Sequence, residues 1–221
     1  MKRMNVRDID VLILDFDGTL ADTRQCIIHC TNATLYDLGF DVVEEEQIVA
    51  CIGLPLREVF ARAGKVTDPS LVEACTERYR MLFPDIASRS AMLFPQVKES
   101  MAELCKRGKR LTIATSRGRE SLLPMIERFD IASYISYIVA EEDVEKKKPH
   151  PDMVLRTLDD VRLRPEQVLV VGDTVFDIAM GQGAGCRTCG VTYGNQSRSQ
   201  LEKQKPDLII DSFQQLVELI S

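Results

Sequence analysis

The sequence predicts an α/β fold, a doubly wound parallel sheet with an all-helical domain inserted after its first strand. Three observations predict it. Apolar runs of strand length alternate with longer amphipathic stretches, and those runs are continuous and β-branched rather than alternating with polar residues. One interval, directly after the first run, is too long for a crossover and carries only helical periodicity. Strands covered on both faces by helices read in this way.

The predicted strands are residues 11–15, 111–115, 134–139, 168–172, 188–192 and 208–210. The helices between and after them are read at 96–107, 119–129, 151–159, 175–183, 197–204 and 213–219 from apolar spacing of three and four residues. Glycine or proline marks most junctions, at Gly108, Pro149, Pro151, Gly172, Gly185, Gly194 and Pro206.

Between the first and second strands lie about 95 residues, where one crossover needs a few dozen at most. Helical periodicity recurs in this interval at 23–38, 44–51, 56–63 and 69–83, and no strand-like run is read there. The division expected is therefore a discontinuous α/β core, residues 1–21 and 89–221, and a helical domain, residues 22–88, returning to the sheet through 88–95.

Composition narrows the function classes. The chain has 221 residues, 45% hydrophobic and 28% charged, enough to bury a substantial core. Its 28 basic and 34 acidic residues give a net charge of −6, a poor match to a phosphate backbone, so no nucleic-acid partner is expected. The longest apolar stretches, such as 11–14, fall far short of the roughly 18 residues of a membrane span. Lys2 and Arg3 begin the chain, but Asp8, Asp10 and Asp15 interrupt any export-signal core, so a cytoplasmic protein without a membrane partner is expected. Seven scattered cysteines do not make a disulfide framework. Cys186 and Cys189 form a C-x-x-C, and Cys26, His29 and Cys30 share a helix face, but neither set supplies the four ligands of a zinc site, so all are read as small buried hydrophobes. A monomer is the default expectation.

In open parallel sheets ligands bind beyond the carboxyl ends of the strands. After the first strand comes Asp15-Phe16-Asp17-Gly18-Thr19-Leu20, two carboxylates one residue apart before a turn-forming glycine. After the fourth comes Gly172-Asp173-Thr174-Val175-Phe176-Asp177, which adds two more. Four acids converging from neighbouring strands repel unless a cation or a shared proton relieves them, and oxygen ligands suit a hard ion, most naturally Mg²⁺. After the second strand, Thr115-Ser116-Arg117-Gly118 offers hydroxyls and free amides at a helix start, an anion cradle. After the third, Lys148 stands beside Pro149 and Pro151, which pin it in place. Each piece alone has a plain reading as a helix cap, a surface acid or a solvated lysine. Together, at four successive strand ends, they describe a site for a phosphoryl group.

The motifs DFDGTL at 15–20, Thr115-Ser116-Arg117, KPHPD at 148–152 and GDTVFD at 172–177 resemble, in order, those of the haloacid dehalogenase superfamily of phosphohydrolases. The helical insertion after DFDGTL is similar to the small cap of the branch containing phosphoglycolate phosphatases and β-phosphoglucomutases. Gly53-Leu54-Pro55-Leu56-Arg57-Glu58-Val59 and Gly190-Val191-Thr192-Tyr193-Gly194 resemble the phosphoglycolate phosphatase-like members. The resemblance implies a Rossmann-like core and the following roles. Asp15 is the nucleophile that forms an aspartyl-phosphate, and Asp17 is the general acid and then the base. Thr115, with the amide of Ser116, holds phosphoryl oxygens, and Lys148 neutralises charge. Mg²⁺ is bound by the Asp15 carboxylate, the Asp17 carbonyl and Asp173, with Asp177 orienting a water or Lys148. Dehalogenases of the superfamily lack an acid at the position of Asp17, so phosphoryl transfer is preferred over carbon–halogen cleavage. Arg117 stands where many relatives have lysine, and Ser116 where asparagine is common; His150 occupies a variable position.

The resemblance implies a cap that closes over the site and chooses among small phosphorylated metabolites. Arg57 is the first candidate to reach a second anionic group of the substrate, with Arg24 and Arg117 behind it. The expected activity is a Mg²⁺-dependent phosphatase. A phosphosugar mutase is the alternative, disfavoured because GLPLREV replaces a Ser-Arg motif and His29 lies far from that loop. A non-catalytic binding module is the third reading, and every motif position is filled by a competent residue.

Overall fold

The computed structural model describes residues 9–220. The segment carrying Lys2, Arg3 and Asp8, on which the reading of the N-terminus rests, lies outside the described residues. The sheet has six strands: β1 (Val11–Leu14), β4 (Arg110–Ala114), β5 (Ile135–Val139), β6 (Val168–Gly172), β7 (Arg187–Val191) and β8 (Leu208–Ile210). All pair in parallel, in the order β5-β4-β1-β6-β7-β8. The order reverses direction about β1, which places the switch point at the first strand and its neighbours.

Alternation along β1 divides the core. Val11 and Ile13 face α7 (Asp152–Val161) and α8 (Val175–Gly183) through Met153, Val154, Leu158 and Met180. Leu12 and Leu14 face the opposite layer, with α5 (Val97–Lys106), α6 (Arg119–Arg128) and α10 (Gln215–Leu219) contributing Met101, Leu104, Leu122 and Leu216. Both sets are buried, which is why the strand reads as an unbroken apolar run. A short helix α9 (Arg198–Lys203) closes the β7–β8 connection.

The long interval holds four helices, α1 (Arg24–Asp37), α2 (Glu45–Val49), α3 (Leu56–Arg62) and α4 (Pro69–Ser90). Cys30 and Leu35 of α1, Phe60 of α3, and Cys75, Tyr79 and Phe83 of α4 are buried in the same apolar cluster that continues into the sheet layer. Two features differ from the reading of the sequence. α4 does not stop at Phe83 but runs through Pro84 to Ser90, because its buried stripe of Val72, Cys75, Thr76, Tyr79 and Phe83 takes one further step to Ala87. A strand pair was also missed: β2 (Ala21–Asp22) and β3 (Met92–Leu93) form an antiparallel ribbon where the chain leaves and re-enters the core. Two residues a side are too short to show a period. None of the described helices is long and apolar enough to cross a membrane.

Candidate active site

Register brings the chemistry together. Leu14 lies opposite both Ile113 and Val171, so β1, β4 and β6 end level and Asp15, Thr115 and Asp173 leave the sheet side by side. The Asp15 amide donates to the Val171 carbonyl and the Thr115 amide to that of Val139, which extends the sheet pattern one residue into the site. Gly18 turns the chain with φ +89°, and a β-carbon there would stand 2.2 Å from Asp173 Oδ2. The turn therefore requires glycine both for its backbone and for the approach of Asp173.

Lys148 is the centre of the arrangement. Its Nζ lies 2.6 Å from Asp15 Oδ1 and 2.7 Å from Asp177 Oδ1, with the side chain wholly buried. Asp177 is fixed from its other oxygen: Oδ2 accepts from the Thr174 amide and hydroxyl in a capping box that starts α8. Asp173 is held from behind, where Oδ2 accepts from the Asn195 amide at 2.7 Å and from Asn195 Nδ2 at 2.8 Å. Oxygens of Asp15, Asp173 and Asp177 lie within 4.8 Å of one another, the one group of potential metal ligands among the described residues.

The electrostatics follow from burial. Desolvation raises Asp15 well above the ordinary carboxylate range; Lys148 opposes this, while Asp177 and Asp173 add to it. Asp173 is pushed up to about 7 by burial first and Asp177 second. Burial alone would lower Lys148, but Asp15 and Asp177 outweigh it and hold the ammonium above its usual range. One cation thus stands among three buried carboxylates. An all-oxygen cluster with surplus negative charge fits a hard divalent ion.

Asp17 faces elsewhere. Arg117 grips it with two prongs, Nε to Oδ2 at 2.9 Å and Nη2 to Oδ1 at 2.6 Å, and Thr23 donates its hydroxyl to Oδ1 at 2.6 Å. Arg117, expected as a cation free to reach substrate, is buried and engaged; its third prong reaches Ser121 Oγ and its plane lies 4.1 Å over the Phe83 ring. Thr115 is buried, and its Oγ1 accepts from the Arg117 amide. Neither Thr115 nor Ser116 caps α6, whose N-cap is Gly118. Ser116 instead donates its hydroxyl to the Gly53 carbonyl at 2.7 Å, a bridge to the helical segment. Gly53, with φ +97°, packs so closely on the core that a β-carbon would lie 3.0 Å from Thr174 Oγ1.

Arg57 stands exposed on the first turn of α3 with its guanidinium on Glu73, and Arg24 pairs with Glu45. His150 pairs with Asp152. The cysteines are all unpaired thiols, six buried and Cys105 half-buried, and burial raises Cys186 and Cys189. The sequence reading missed Asn195, Thr23 and Phe83. Asn195 follows the Gly190–Gly194 segment that had been singled out, but an uncharged amide in a loop carries no signal of its own.

The haloacid dehalogenase-like hydrolase family model matches residues 12–191, from β1 to the end of β7. The phosphoglycolate phosphatase of Salmonella typhimurium is 30% identical over 237 residues, covering 98% of this chain and 93% of the relative. That of Escherichia coli K12 is 31% identical over 231 residues, covering 95% and 92%. A solved structure described as a predicted phosphoglycolate phosphatase from Haemophilus somnus superposes with a TM-score of 0.89 at 24% identity, over 97% of this chain and 99% of that one, a likeness of fold. With this match spanning most of the sequence and the motif residues gathered at one end of the sheet, the chain belongs to the haloacid dehalogenase-like hydrolase family and is similar, within it, to phosphoglycolate phosphatases.

Proposed function

We propose that the protein is a Mg²⁺-dependent phosphatase that hydrolyses a small phosphorylated metabolite, phosphoglycolate or a related ester, through an aspartyl-phosphate on Asp15. The observation that carries this reading is the buried Lys148 between Asp15 and Asp177, with Asp173 alongside. Such a centre, short of positive charge, accepts a divalent cation and then a phosphoryl group. The names of the relatives support the substrate class.

Asp15 and Asp173 would hold the cation through carboxylate oxygens and Asp17 through its main-chain carbonyl. Asp177 fixes Lys148, and its place in the acidic cluster makes it a further ligand candidate. When bound, the cation supplies neutralising charge to the phosphoryl oxygens and the carboxylates. The chain's own residues do the rest. An Asp15 oxygen bonds to phosphorus as the ester P–O bond breaks, and Asp17, freed of Arg117 and entering the step protonated, gives that proton to the departing alcohol oxygen. Asp17 then takes a proton from water as the water oxygen bonds to phosphorus and the Asp15–phosphorus bond breaks. The products are the alcohol and inorganic phosphate, with both aspartates restored. Lys148 keeps Asp15 oriented throughout, and Thr115 with the Ser116 amide cradles phosphoryl oxygens.

Residues 22–88 serve as the cap. The Gly53 loop, seated on Thr174 and Phe176 and bridged to Ser116, supports a cap that excludes water when shut. Arg57 remains the candidate for reading the substrate from this side once it leaves Glu73.

The test is phosphate release from a panel of small esters, with and without Mg²⁺, beside Asp15→Asn. Metal-dependent release lost in the variant supports the reading. A folded, Mg²⁺-binding protein that releases phosphate from no ester overturns it, and isomerisation of hexose phosphates in its place would favour the mutase.

A further inference from the structure

We propose that the loop at residues 193–196 is a clamp that sets the spacing of the cation ligands, with Tyr193 as its positioning residue on the turn after β1. The inference rests on the phosphatase reading, through its cation, and deepens it. Tyr193 and Gly194 take no part in the steps of phosphoryl transfer, and both lie just past the span, residues 12–191, that the family model matches.

The groups that would hold the cation come from two strand ends. Asp15 and the Asp17 carbonyl belong to the turn after β1, and Asp173 follows β6. Carboxylates gathered this closely in a buried place repel. Mg²⁺ in turn demands near-ideal octahedral placing of its oxygens. One strand end must therefore be fixed against the other.

The loop after β7 touches both. Tyr193 donates its hydroxyl to the Thr19 carbonyl at 2.9 Å, within the turn that carries Asp17. Asn195 holds Asp173 Oδ2 by its amide and its side chain, while the Thr19 hydroxyl reaches Asp173 Oδ1 at 3.3 Å. Between these arms, a β-carbon on Gly194 would stand 2.3 Å from the Gly18 carbonyl oxygen and 2.3 Å from Asp173 Cβ. The loop is thus wedged between the two ends with no room for a side chain. Buried Gln196 accepts from the Val175 amide at 2.8 Å, which anchors the loop to the start of α8, two residues after Asp173. The Tyr193 ring is itself held by Phe94, with centroids 4.7 Å apart.

Partners behind metal ligands orient them, and losing one costs metal affinity. Tyr193 differs from Asn195 in touching no ligand side chain. It acts through the backbone of the turn that carries the Asp17 carbonyl.

Tyr193→Phe, Gln196→Ala and Thr192→Val are compared with wild type. Titration calorimetry reads Mg²⁺ affinity, and melting in chelator reads the metal-free fold. Thr192→Val deletes a hydrogen bond from the neighbouring residue to Asp211, which is no part of the site, and controls for general loosening. Tyr193→Phe is expected to weaken Mg²⁺ about tenfold or more, with the metal-free melting temperature close to that of wild type. Gln196→Ala weakens it by a smaller factor, and Thr192→Val leaves it unchanged. Wild-type affinity in Tyr193→Phe overturns the inference, as does an equal loss in Thr192→Val. If Tyr193→Phe fails to fold, Gln196→Ala against Thr192→Val decides by the same comparison. A wild type that binds Mg²⁺ yet hydrolyses no ester removes the phosphatase reading and leaves the clamp to be decided by the affinities. A wild type that binds no Mg²⁺ overturns the clamp whatever it hydrolyses.

Discussion

Lys148 Nζ and Asp15 Oδ1 lie 2.6 Å apart at a position where neither side chain reaches solvent freely. Lysine 148 is thereby made part of the nucleophile's immediate surroundings. Replacing it by methionine keeps much of the volume and leaves Asp15 and Asp177 facing without their cation. Breaking one side of a buried pair costs roughly 3–5 kcal/mol, partly offset when a carboxylate takes up a proton. Removing one preorganised charge-stabilising donor lowers kcat by about 10²–10³-fold. Lys148→Met is expected to show both, in urea melts and steady-state kinetics; turnover within tenfold of wild type would exclude Lys148 from the chemistry.

The acidic cluster sets an expectation for metal. Mg²⁺ at about a hundred times its dissociation constant stabilises the fold by about 2.7 kcal/mol, which is roughly 5–10 °C in melting temperature for a chain of this size. A chelator reverses the shift. Asp173→Asn is expected to abolish it. Asn195→Ala, which removes the side-chain donor behind Asp173, weakens Mg²⁺ about 10–100-fold with the fold intact. Titration calorimetry reads the affinity, and an unchanged value in Asn195→Ala would show that Asp173 needs no such support.

Gly53 tests the contact between the two halves. Its φ of +97° is costly for any residue with a side chain, and alanine would bring a β-carbon to 3.0 Å from Thr174 Oγ1 and 3.3 Å from Phe176. Gly53→Ala is expected to lose about 1–2 kcal/mol of stability and about tenfold in kcat/KM. Ser116→Ala, which deletes the hydrogen bond to the Gly53 carbonyl, has a smaller effect of about 0.5–1.5 kcal/mol. Denaturant melts beside kinetics separate these; activity untouched in Gly53→Ala would mean that the loop does not govern access.

Burial pushes the Cys30 and Cys186 thiols up to about 12. Because the folded value lies above the unfolded one, these thiols cost no stability below the ordinary thiol range, and stability falls as pH rises toward 12. At pH 8 they remain protonated and unreactive, since the thiolate is the nucleophile. Timed alkylation with mass spectrometry is expected to modify half-buried Cys105 first and the buried thiols only after denaturation. Rapid native labelling of Cys186 and Cys189 would revive a redox role for that pair.

The parts legible in the sequence were those where residue type and strand end coincide. Asp15 and Asp173 are charged residues directly after apolar runs, and their position beyond a parallel sheet follows from its geometry; Lys148, set among like charges, was marked only by its two prolines. The helical insertion was legible from its length together with its helical periodicity. What escaped depends on partners distant in the chain. Ser116 is bound to a main-chain carbonyl 63 positions away, which no side-chain pattern records. Arg117 read only as a secondary candidate to reach substrate because its two anchors, Asp17 and Phe83, are supplied by β1's loop and by α4. α4 outlasted its proline because tertiary packing of Ala87 outweighs a missing hydrogen bond.

The two-residue ribbon has a consequence for how the chain is put together. Ala21 pairs with Leu93 and Asp22 with Met92, so the exit from the core and the return to it are neighbours. Topologically the whole intervening segment is the loop of a two-stranded ribbon that stands apart from the six-stranded sheet. A short turn joining Asp22 to Met92 would close the same ribbon, but it would uncover the side of the apolar cluster that the helices share with the sheet layer. The inserted segment thus has a single covalent entry and exit, while Gly53 and Phe83 join it to the core a second and a third time.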